Sequence, residues 1–528
     1  MLYYIHHIIP FRKRVFLLTK LPVIKHIGVG LLLGGIAGGV TGAIITLYKL
    51  CAKHIIHLSE EGYGFLRNNP LWIIAAVAVL TALAVLLAYV YRRTTNLRGG
   101  GIPTAIAVLR GWLPFCWLRN ACGIFALSLT TFLVGVPLGN EGPSVQLGTA
   151  MGKGCSKLLG RHDGGWSRYG MTGGACAGFA TATGAPLSGI LFAVEDAHHR
   201  VSPLLLLVAT AAVGTSRLVS DLLSPLLGVS STLFPSMQLR PLSAAECWIP
   251  LAIGMIVGLF AVGFLYFYRG MANLLNHKLA KVPDWSKILV ILLLTLGMGL
   301  VSYSYISTGH DLILALFDGE TVLVLLALLL VRTTLTVSAN VTNLTGGIFL
   351  PVLAIGALLS ALFAEGMTAM GLDAIYYPVI LVLGITACIA GMMKMPLTAV
   401  AFAVEALSAY ELILPILLVT AVAYGTAELF DAVSINDRVL DSRMEQIHKG
   451  RTRTTGETTV TIQPDAFAVG KEIRDIFWPD GLFVLSVDKK RALGGKTLHE
   501  GDRLHVRYAT FDEKRLKKEL IAIVGAQE

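Results

Sequence analysis

Apolar segments of helical length dominate the chain between residues 26 and 445. They occupy His26–Leu50, Trp72–Tyr91, Trp248–Phe267, Ile288–Tyr303, Thr321–Val331 and Tyr377–Met393. A helix needs about 20 apolar residues to cross the hydrocarbon core of a bilayer, and several of these segments approach that length. The pattern therefore predicts an all-α domain with many membrane-spanning helices.

Two further apolar segments are too short to cross a bilayer. Thr104–Leu109 and Leu312–Phe317 are each bounded by glycine, proline or charged residues. Broken segments at membrane depth are tolerated where they line a cavity inside the protein, because lipid cannot satisfy free backbone groups. These segments favour a transporter or a channel over a receptor bundle.

Composition and charge agree with a membrane protein. Of the 528 residues, 55% are hydrophobic and only 14% are charged, with a net charge of +10. Basic residues lie on both sides of the apolar region, at Arg12, Lys13, Arg14, Lys20 and Lys25 and at Arg443, Lys449, Arg451 and Arg453. The positive-inside rule then predicts both termini on the cytoplasmic side of the inner or plasma membrane. This charge pattern indicates lipid as a partner and no nucleic acid.

Motifs for other chemistry are missing from the sequence. The seven cysteines are scattered without a CxxC pair, so we expect neither a metal site nor a disulfide framework, and no cofactor. A membrane-embedded hydrolase or a ligand receptor is the alternative from a different class. A hydrolase needs a second catalytic group near a buried acid, and the sequence has no HExxH, no GxSxG and no paired intramembrane aspartates. We therefore do not expect an enzyme.

The composition changes near residue 445, where charged residues become frequent. Alternating and amphipathic patterns predict a βαββα order, at Thr458–Ile462, Gly470–Ile476, Leu482–Val487, Arg503–Tyr508 and Asp512–Val524. The predicted division is a basic N-terminus at 1–25, a transmembrane domain at 26–445 (halves of about 26–225 and 243–445), a linker at 446–456 and a small cytoplasmic α+β domain at 457–528. The small size of that last domain is typical of a module for ligand sensing or dimer contact.

An internal repeat divides the membrane domain. Pro186–Glu195 and Pro396–Glu405 are identical at six of ten positions. Upstream, each half carries a P-x-x-x-x-G helix start, at Pro143 and at Pro351, which lie 43 and 45 residues before the repeated segments. Two halves with matching broken helices are how many transporters build a site at the membrane midplane.

The repeat separates two neighbouring acids. Glu195 has an equivalent in Glu405, so a structural role at a helix end is the simpler interpretation. Asp196 has none, because alanine stands at the equivalent position. An acid present in one half only suits an asymmetric task such as proton transfer, and the alternative is an exposed charge at a helix end. The adjacent His198 and His199 are expected to be solvated.

Glu141 is a lone acid between glycines and a proline in the sequence Gly139–Pro143. A carboxylate in lipid is costly, and such acids usually mark an ion or proton path. Pro143 suits a first helical turn, whose free N–H groups and helix dipole attract anions. A negative side chain held there resembles a gate, and the alternative is a helix cap on a solvated loop.

Three other segments have the chemistry of helix starts. They are Gly99–Pro103, Gly346–Pro351 and the cap-type residues Ser434–Asp437 ahead of Arg438–Met444. With Gly139–Pro143 they predict four helix starts that converge on one point. Backbone N–H groups there bind an anion without a lysine or arginine, weakly enough for it to leave. The alternative is that the glycines only allow tight helix packing.

These motifs resemble a known family. GGGIP, GNEGP and GGIFLP, in this order, are similar to the three signature loops of the CLC chloride channels and proton-coupled anion antiporters, over roughly residues 25–445. The resemblance implies a homodimer with a separate pore in each subunit. It also implies tilted and broken helices in two inverted halves.

The resemblance assigns roles by position. Glu141 matches the external gating glutamate, and Asp196 matches the internal proton-transfer glutamate, with Glu195 as its structural neighbour. The positions that match anion-binding groups are Gly100, Gly101, Ile102, Gly142, Ile348, Phe349 and Asn436. The C-terminal domain resembles the TrkA-type regulatory domain of potassium-uptake regulators, which implies a small ligand.

Three departures affect the expected ion. Gly100 stands where the family usually has a serine, Asn436 where it has a tyrosine, and Asn140 where it has an arginine or lysine. Fluoride-exporting branches also lack the serine. We expect transport of chloride or a related halide, coupled to protons through Glu141. The alternatives are a fluoride/proton exchanger of the same family and a passive chloride channel.

Overall fold

The computed structural model describes residues 11–99, 101–160, 164–235, 239–448, 452–464 and 466–526. Within these ranges the chain forms a large helical domain followed by a small antiparallel sheet with one helix. The N-terminal residues 1–10 lie outside the description. The predicted anion-binding position Gly100 also lies outside it.

The α-helices follow one another with short connections. In chain order they are α1 Phe11–Asn68, α2 Trp72–Arg93, α3 Gly101–Leu109, α4 Trp117–Val134, α5 Glu141–Leu158, α6 Gly164–Thr183, α7 Pro186–Phe192, α8 Pro203–Leu227, α9 Trp248–Asn273, α10 Asp284–Val301, α11 His310–Leu316, α12 Val322–Val341, α13 Phe349–Ala369, α14 Tyr377–Met392, α15 Pro396–Ala406, α16 Ile413–Leu429, α17 Ile435–His448 and α18 Glu513–Val524. The strands are β1 Thr454–Thr461, β2 Leu482–Val487, β3 Lys490–Arg491 and β4 Arg503–Thr510.

Helices of membrane-spanning length confirm the predicted all-α membrane domain. In the described part of the chain, ten are long and apolar enough to cross a membrane: α1, α2, α4, α8, α9, α10, α12, α13, α14 and α16. The predicted run His26–Leu50 is only the middle of α1, which continues to Asn68. The two short segments are short helices, α3 and α11, and all nine residues of α3 are buried.

Equivalent helices of the two halves pack in the same way. Gly148 of α5 lies so close to Gly174 of α6 that an added Cβ would lie 2.0 Å from the Gly174 carbonyl oxygen. Gly356 of α13 lies against Gly384 of α14 with the corresponding distance of 2.7 Å. The P-x-x-x-x-G motif therefore begins a helix and also provides the small residue at which that helix crosses the next one.

Two glutamates of the repeat cap each other's helices. The Glu195 carboxylate accepts backbone hydrogen bonds from Leu397 (2.8 Å) and Thr398 (2.7 Å) at the start of α15. The Glu405 carboxylate accepts them from Leu187 (2.7 Å) and Ser188 (3.0 Å) at the start of α7. Such exchange follows from a two-fold relation between the halves, because each side then presents the same groups to the other. The predicted structural role of Glu195 is confirmed.

Glu405→Ala is expected to destabilise the membrane domain without touching the site described below. It removes both acceptors from the first turn of α7 and a negative charge from a helix N-terminus, a loss of about 0.5–2 kcal/mol. The thermal unfolding temperature of the purified protein measures the effect. Glu411→Ala, at an exposed position, is the matched control. Equal unfolding temperatures for the two variants would contradict the capping role.

The C-terminal region forms an antiparallel sheet in the order β1-β4-β2-β3, with α18 packed on it. Strand β2 has the predicted bounds, and β1, β4 and α18 lie close to theirs. The predicted helix Gly470–Ile476 is wrong, since that segment contains only the 3₁₀ turn Ile473–Asp475. Its backbone instead pairs with residues 494–498, through hydrogen bonds such as Gly470 N–H to the Leu498 carbonyl at 2.8 Å. Pairing of this kind uses the backbone N–H groups that a helix would need for its own hydrogen bonds.

Candidate functional site

The loops before α5 and α13 pair with each other at the centre of the membrane domain. Gly139 and Gly347 exchange two backbone hydrogen bonds of 2.7 Å each, as an isolated antiparallel bridge. The pairing ties together the starts of two equivalent helices, one from each half. Both helices therefore direct their free N–H groups toward a common region.

A third helix start is packed against this pair. Gly101, the first residue of α3, lies so close to Gly142 of α5 that a Cβ on Gly101 would be 2.0 Å from the Gly142 carbonyl carbon and oxygen. A Cβ on Gly142 would lie 2.7 Å from the Gly347 Cα. Glycine is required at both positions because backbone approaches backbone directly. Three of the four predicted helix starts are thus in contact.

Glu141 is the first residue of α5 and is fully buried at this junction. Its carboxylate faces the amide of Leu350 at the start of α13, but neither oxygen accepts a hydrogen bond of ordinary geometry from the described residues. Gly139 lies so close to this carboxylate that a Cβ added to Gly139 would be 2.4 Å from Glu141 Oε2. The alternative of a solvated cap is excluded, because the side chain is fully buried, and a buried carboxylate without hydrogen bonds of ordinary geometry is costly.

Two basic side chains that the sequence reasoning missed lie near Glu141. They are Lys49 of α1 and His310 of α11. The Lys49 ammonium donates to the Thr181 carbonyl oxygen at 3.3 Å, and His310 Nε2 lies 2.8 Å from the Leu233 carbonyl oxygen. For Lys49 a signal was present in the sequence, because it is the only lysine in the apolar run His26–Leu50 and such residues often mark an ion path.

The other predicted anion-binding residues of the loops are buried around the junction. Ile102 and Ile348 are each 2% exposed, and Phe349 is fully buried. The Phe349 ring lies edge-on to Phe179 and Phe402, with centroids 5.1 and 5.5 Å apart. The aromatic contacts fix the start of α13.

Asp196 is buried, which excludes the exposed helix-end interpretation. It is 1% exposed and lies in the π-helical turn Ala193–Ala197 that follows α7. Arg110, just after α3, holds this turn by donating to the carbonyl oxygens of Asp196 (3.0 Å) and Ala197 (3.1 Å). The backbone of the acid is therefore tied to the same short helix that contributes Gly101.

Asn436 forms a contact that was not expected from the sequence. Helix α17 begins at Ile435, so Asn436 lies in its first turn and is not a residue ahead of the helix. Its side-chain Nδ2 donates to Asp196 Oδ2 at 2.8 Å, and Asn436 is fully buried. Its carbonyl oxygen Oδ1 has no partner among the described residues. The structure thus joins Asn436 to Asp196 through a hydrogen bond.

A surface-open cavity of about 240 Å³ reaches Asp196. Its charged lining residues are Glu195, Asp196, His199, Lys394, Glu428 and Asp437. Asp437 lies 3.8 Å from His199 and 3.6 Å from Arg110. The cavity therefore places several titratable groups near an otherwise buried acid.

Arg443 is a further basic residue that sequence reasoning did not connect to the site. It is 9% exposed and donates through Nη1 to the Thr104 hydroxyl in α3. The guanidinium also lies against Gly99, where an added Cβ would be 1.9 Å from Nη2. Burial lowers its pKa to about 10, so the group remains charged at neutral pH. Together with Asn436, this contact anchors α17 beside α3.

The C-terminal domain lies against the segment that follows Asp196. The Phe477 ring stacks on His198 at 4.4 Å, lies under the Arg200 guanidinium at 4.4 Å and contacts Tyr169 at 4.5 Å. Ser202 donates to the Asp475 carboxylate at 2.6 Å. The expectation that His198 is solvated is therefore wrong, whereas the side chain of His199 is 51% exposed.

A partly buried ion pair strengthens this contact between the domains. Arg168 of α6 lies 2.5 Å from Glu519 of α18 and donates to the Phe477 carbonyl oxygen at 2.9 Å. Arg515 donates to the Trp112 carbonyl oxygen at 3.1 Å. The C-terminal domain is therefore tied to α6 and to the segment after α3 as well as to the segment that follows Asp196.

Comparison with known families identifies a relationship for most of the membrane domain. The family model of voltage gated chloride channels matches residues 80–428, about two thirds of the chain. A curated relative is the H+/Cl− exchange transporter ClcA of Klebsiella pneumoniae. It is 27% identical over 378 residues, which cover 68% of this chain and 79% of the relative.

Solved structures have the same fold. A slow cyanobacterial Cl−/H+ antiporter superposes with a TM-score of 0.71 at 22% identity, covering 80% of this chain and 99% of the antiporter. A eukaryotic CLC transporter gives 0.64 at 18% identity, with coverage of 80% and 74%. A CLC-type fluoride/proton antiporter gives 0.60 at 20% identity, with coverage of 76% and 96%.

Proposed function

We propose that this integral membrane protein, which belongs to the voltage-gated chloride channel (CLC) family, exchanges halide anions for protons. Glu141 is the proposed gate. The observation that carries the proposal is the buried Glu141 carboxylate, without a hydrogen-bond partner of ordinary geometry among the described residues, at the junction of three helix starts. That junction offers backbone N–H groups and helix dipoles to a negative group. The carboxylate occupies the place that suits a transported anion.

Protonation gives the gate its two states. An ionised Glu141 competes with the anion for the same N–H groups and blocks the path. A protonated Glu141 loses the attraction of the helix ends and leaves the place to the anion. Each opening then moves a proton with the side chain, which is the physical basis of coupling. The N–H groups of Gly101, Ile102, Gly142, Ile348 and Phe349 are the proposed anion ligands, with Gly100 beside them.

Asp196 is the proposed internal proton donor. It is buried, and the cavity of about 240 Å³ connects it to the surface. The proposal places this surface and both termini in the cytoplasm, in accord with the basic residues at both ends of the membrane domain. The protein is proposed to act as a homodimer, with the C-terminal domain as a TrkA-like regulatory module that binds a small ligand.

Halide flux from proteoliposomes with simultaneous pH recording tests the function. Loaded vesicles are expected to release halide and to take up protons in a fixed ratio. The same vesicles loaded with chloride or fluoride decide the anion, because Gly100 and Asn436 replace the hydroxyl side chains that would favour chloride. Halide release without coupled proton movement indicates a passive channel. Absence of flux for every halide would contradict the proposal.

Asp196→Ala is expected to leave halide flux within about threefold of wild type and to reduce proton-coupled uptake by about a hundredfold. The reason is that a positioned proton donor contributes about 10²–10⁴-fold to transfer. Proton uptake driven by a halide gradient is the measurement. Asp318→Ala, at an exposed position, is the control and is expected to behave as wild type. Intact coupling in Asp196→Ala would mean that protons enter by another route.

A further inference from the structure

His310, the first residue of α11, is held between two hydrogen-bond acceptors. Its Nδ1 lies 2.9 Å from the Asp311 carboxylate, and its Nε2 lies 2.8 Å from the Leu233 carbonyl oxygen. The ring also stacks on Phe234, with centroids 5.6 Å apart and planes inclined by 8°. These three contacts fix the orientation of the imidazole.

The two polar partners select the charged form of this imidazole. A carbonyl oxygen only accepts hydrogen bonds. The Asp311 side chain is 75% exposed, so it is an ionised carboxylate at neutral pH and also only accepts. A neutral imidazole has one N–H group and serves one of the two partners, whereas an imidazolium donates to both. The geometry therefore favours a positively charged His310.

The start of α11 packs against the first turns of α13, close to Glu141. A Cβ added to Gly309 would lie 3.0 Å from the Ala354 Cβ in α13. Ala354 comes one helical turn after Leu350, whose amide faces the Glu141 carboxylate. His310 therefore lies near the buried carboxylate, although its own side chain is 31% exposed to solvent.

His310 lies on the side of the membrane domain opposite to the C-terminal domain. Helix α8 begins beside that domain, since its N-cap Ser202 donates to Asp475. The helix continues for 25 residues, about 38 Å, and leads into the segment that contains Leu233. The hydrogen bond between His310 and Leu233 therefore places the imidazole at the outer face of the proposed exchanger.

Charged groups of four helices lie around this position. Asp311 is on the same helix as His310, Glu141 begins α5, and Lys49 of α1 lies near Glu141. Arg332 of α12 donates to three carbonyl oxygens of the segment before α11. His310 thus has an exposed acid, Asp311, and a buried acid, Glu141, as neighbours.

We propose that His310 is a positioning residue whose imidazolium stabilises ionised Glu141 and so determines the pH at which the gate closes. The Glu141 carboxylate has no hydrogen-bond partner of ordinary geometry among the described residues. Its ionised form therefore depends on the helix ends and on nearby positive charge, which favours the ionised form of a carboxyl group. The inference rests on the gating function proposed above and adds to it a residue outside the three helix starts.

The pH profile of halide flux from proteoliposomes tests this role, with chloride and with fluoride and with equal pH on both sides. In wild type, flux is expected to fall as the pH rises, because ionised Glu141 closes the path. His310→Gln keeps a donor for the Leu233 carbonyl oxygen but removes the charge. Ionisation of Glu141 then requires a higher pH, and the pH of half-maximal flux is expected to rise by about one unit.

A charge-retaining variant separates the charge from the shape of the side chain. His310→Lys is expected to keep the wild-type profile, because it retains a positive charge at the same position. His57→Gln is the matched control and is also expected to keep it, since His57 pairs with an acid, Glu61 at 3.5 Å, but is 71% exposed. In the Glu141→Gln protein, adding His310→Gln is expected to leave the flux independent of pH.

The outcomes distinguish this inference from the proposed gate. An unchanged pH of half-maximal flux in His310→Gln, or an equal shift in His310→Lys, overturns the inference and leaves the gate standing. A flux that does not fall with pH in wild type, or that still falls in Glu141→Gln, contradicts the gate itself. His310→Asn replaces the glutamine variant if the latter does not purify as a monodisperse protein, and the same shift is expected of it.

Discussion

Replacing Glu141 with glutamine is expected to leave halide movement intact and to reduce the coupled proton movement by about a hundredfold or more. Glutamine has the size of the glutamate but cannot carry a proton through a cycle. It also removes the charge that competes with an anion for the N–H groups at the starts of α5 and α13. The anion path is then open at every pH, and halide moves down its own gradient.

The measurement is halide-driven proton uptake beside halide efflux in the same proteoliposomes. Wild type is expected to lose halide flux as the pH rises, because the ionised carboxylate closes the path, whereas the Glu141→Gln variant should show no such decrease. Glu411→Gln, an exposed glutamate, is the matched control and should remain coupled. Proton uptake at the wild-type level in Glu141→Gln would remove Glu141 from the gate.

Gly101→Ala is expected to abolish transport by separating the three helix starts. The new Cβ would lie 2.0 Å from the Gly142 carbonyl group and 2.6 Å from the Pro143 nitrogen. Those atoms belong to the backbone and cannot rotate away, so α3 must move relative to α5. Overpacking of this kind typically costs about 1–3 kcal/mol. The shift also displaces N–H groups that require ångström-level placement, and we expect halide flux to fall at least about tenfold.

Gly297→Ala provides the comparison for that variant. Gly297 is an exposed glycine within α10, and an added Cβ meets nothing within 4 Å. Alanine favours a helix over glycine by about 1 kcal/mol, so its unfolding temperature should not fall and its halide flux should equal that of wild type. If Gly101→Ala also transports at the wild-type rate, close contact of α3 with α5 is not required for the anion path.

Local patterns were sufficient for much of the fold. Hydropathy located six of the ten spans found in the described part of the chain, since a helix in lipid must be apolar along its length, but it did not single out α4, α8, α13 or α16. The repeat identified Glu195 as a helix-end residue before its partner was known, because its equivalent in the other half had the same surroundings in sequence. Helix Gly470–Ile476 shows where this reasoning fails: its residues suited a helix, but pairing with residues 494–498 took their backbone hydrogen bonds.

For the candidate site, too, local sequence patterns predicted some features and only the tertiary structure showed the others. The sequence by itself determined that Glu141 begins a helix among glycines, that two halves repeat, and that Asp196 is present in one half only. Only the tertiary structure decided that Asn436 holds Asp196, that Arg443 lies against α3 and that Phe477 contacts His198. Those pairs are 240, 339 and 279 residues apart in the chain. Periodicity and capping report on neighbours within a few residues, whereas contacts at such separations depend on how whole helices pack.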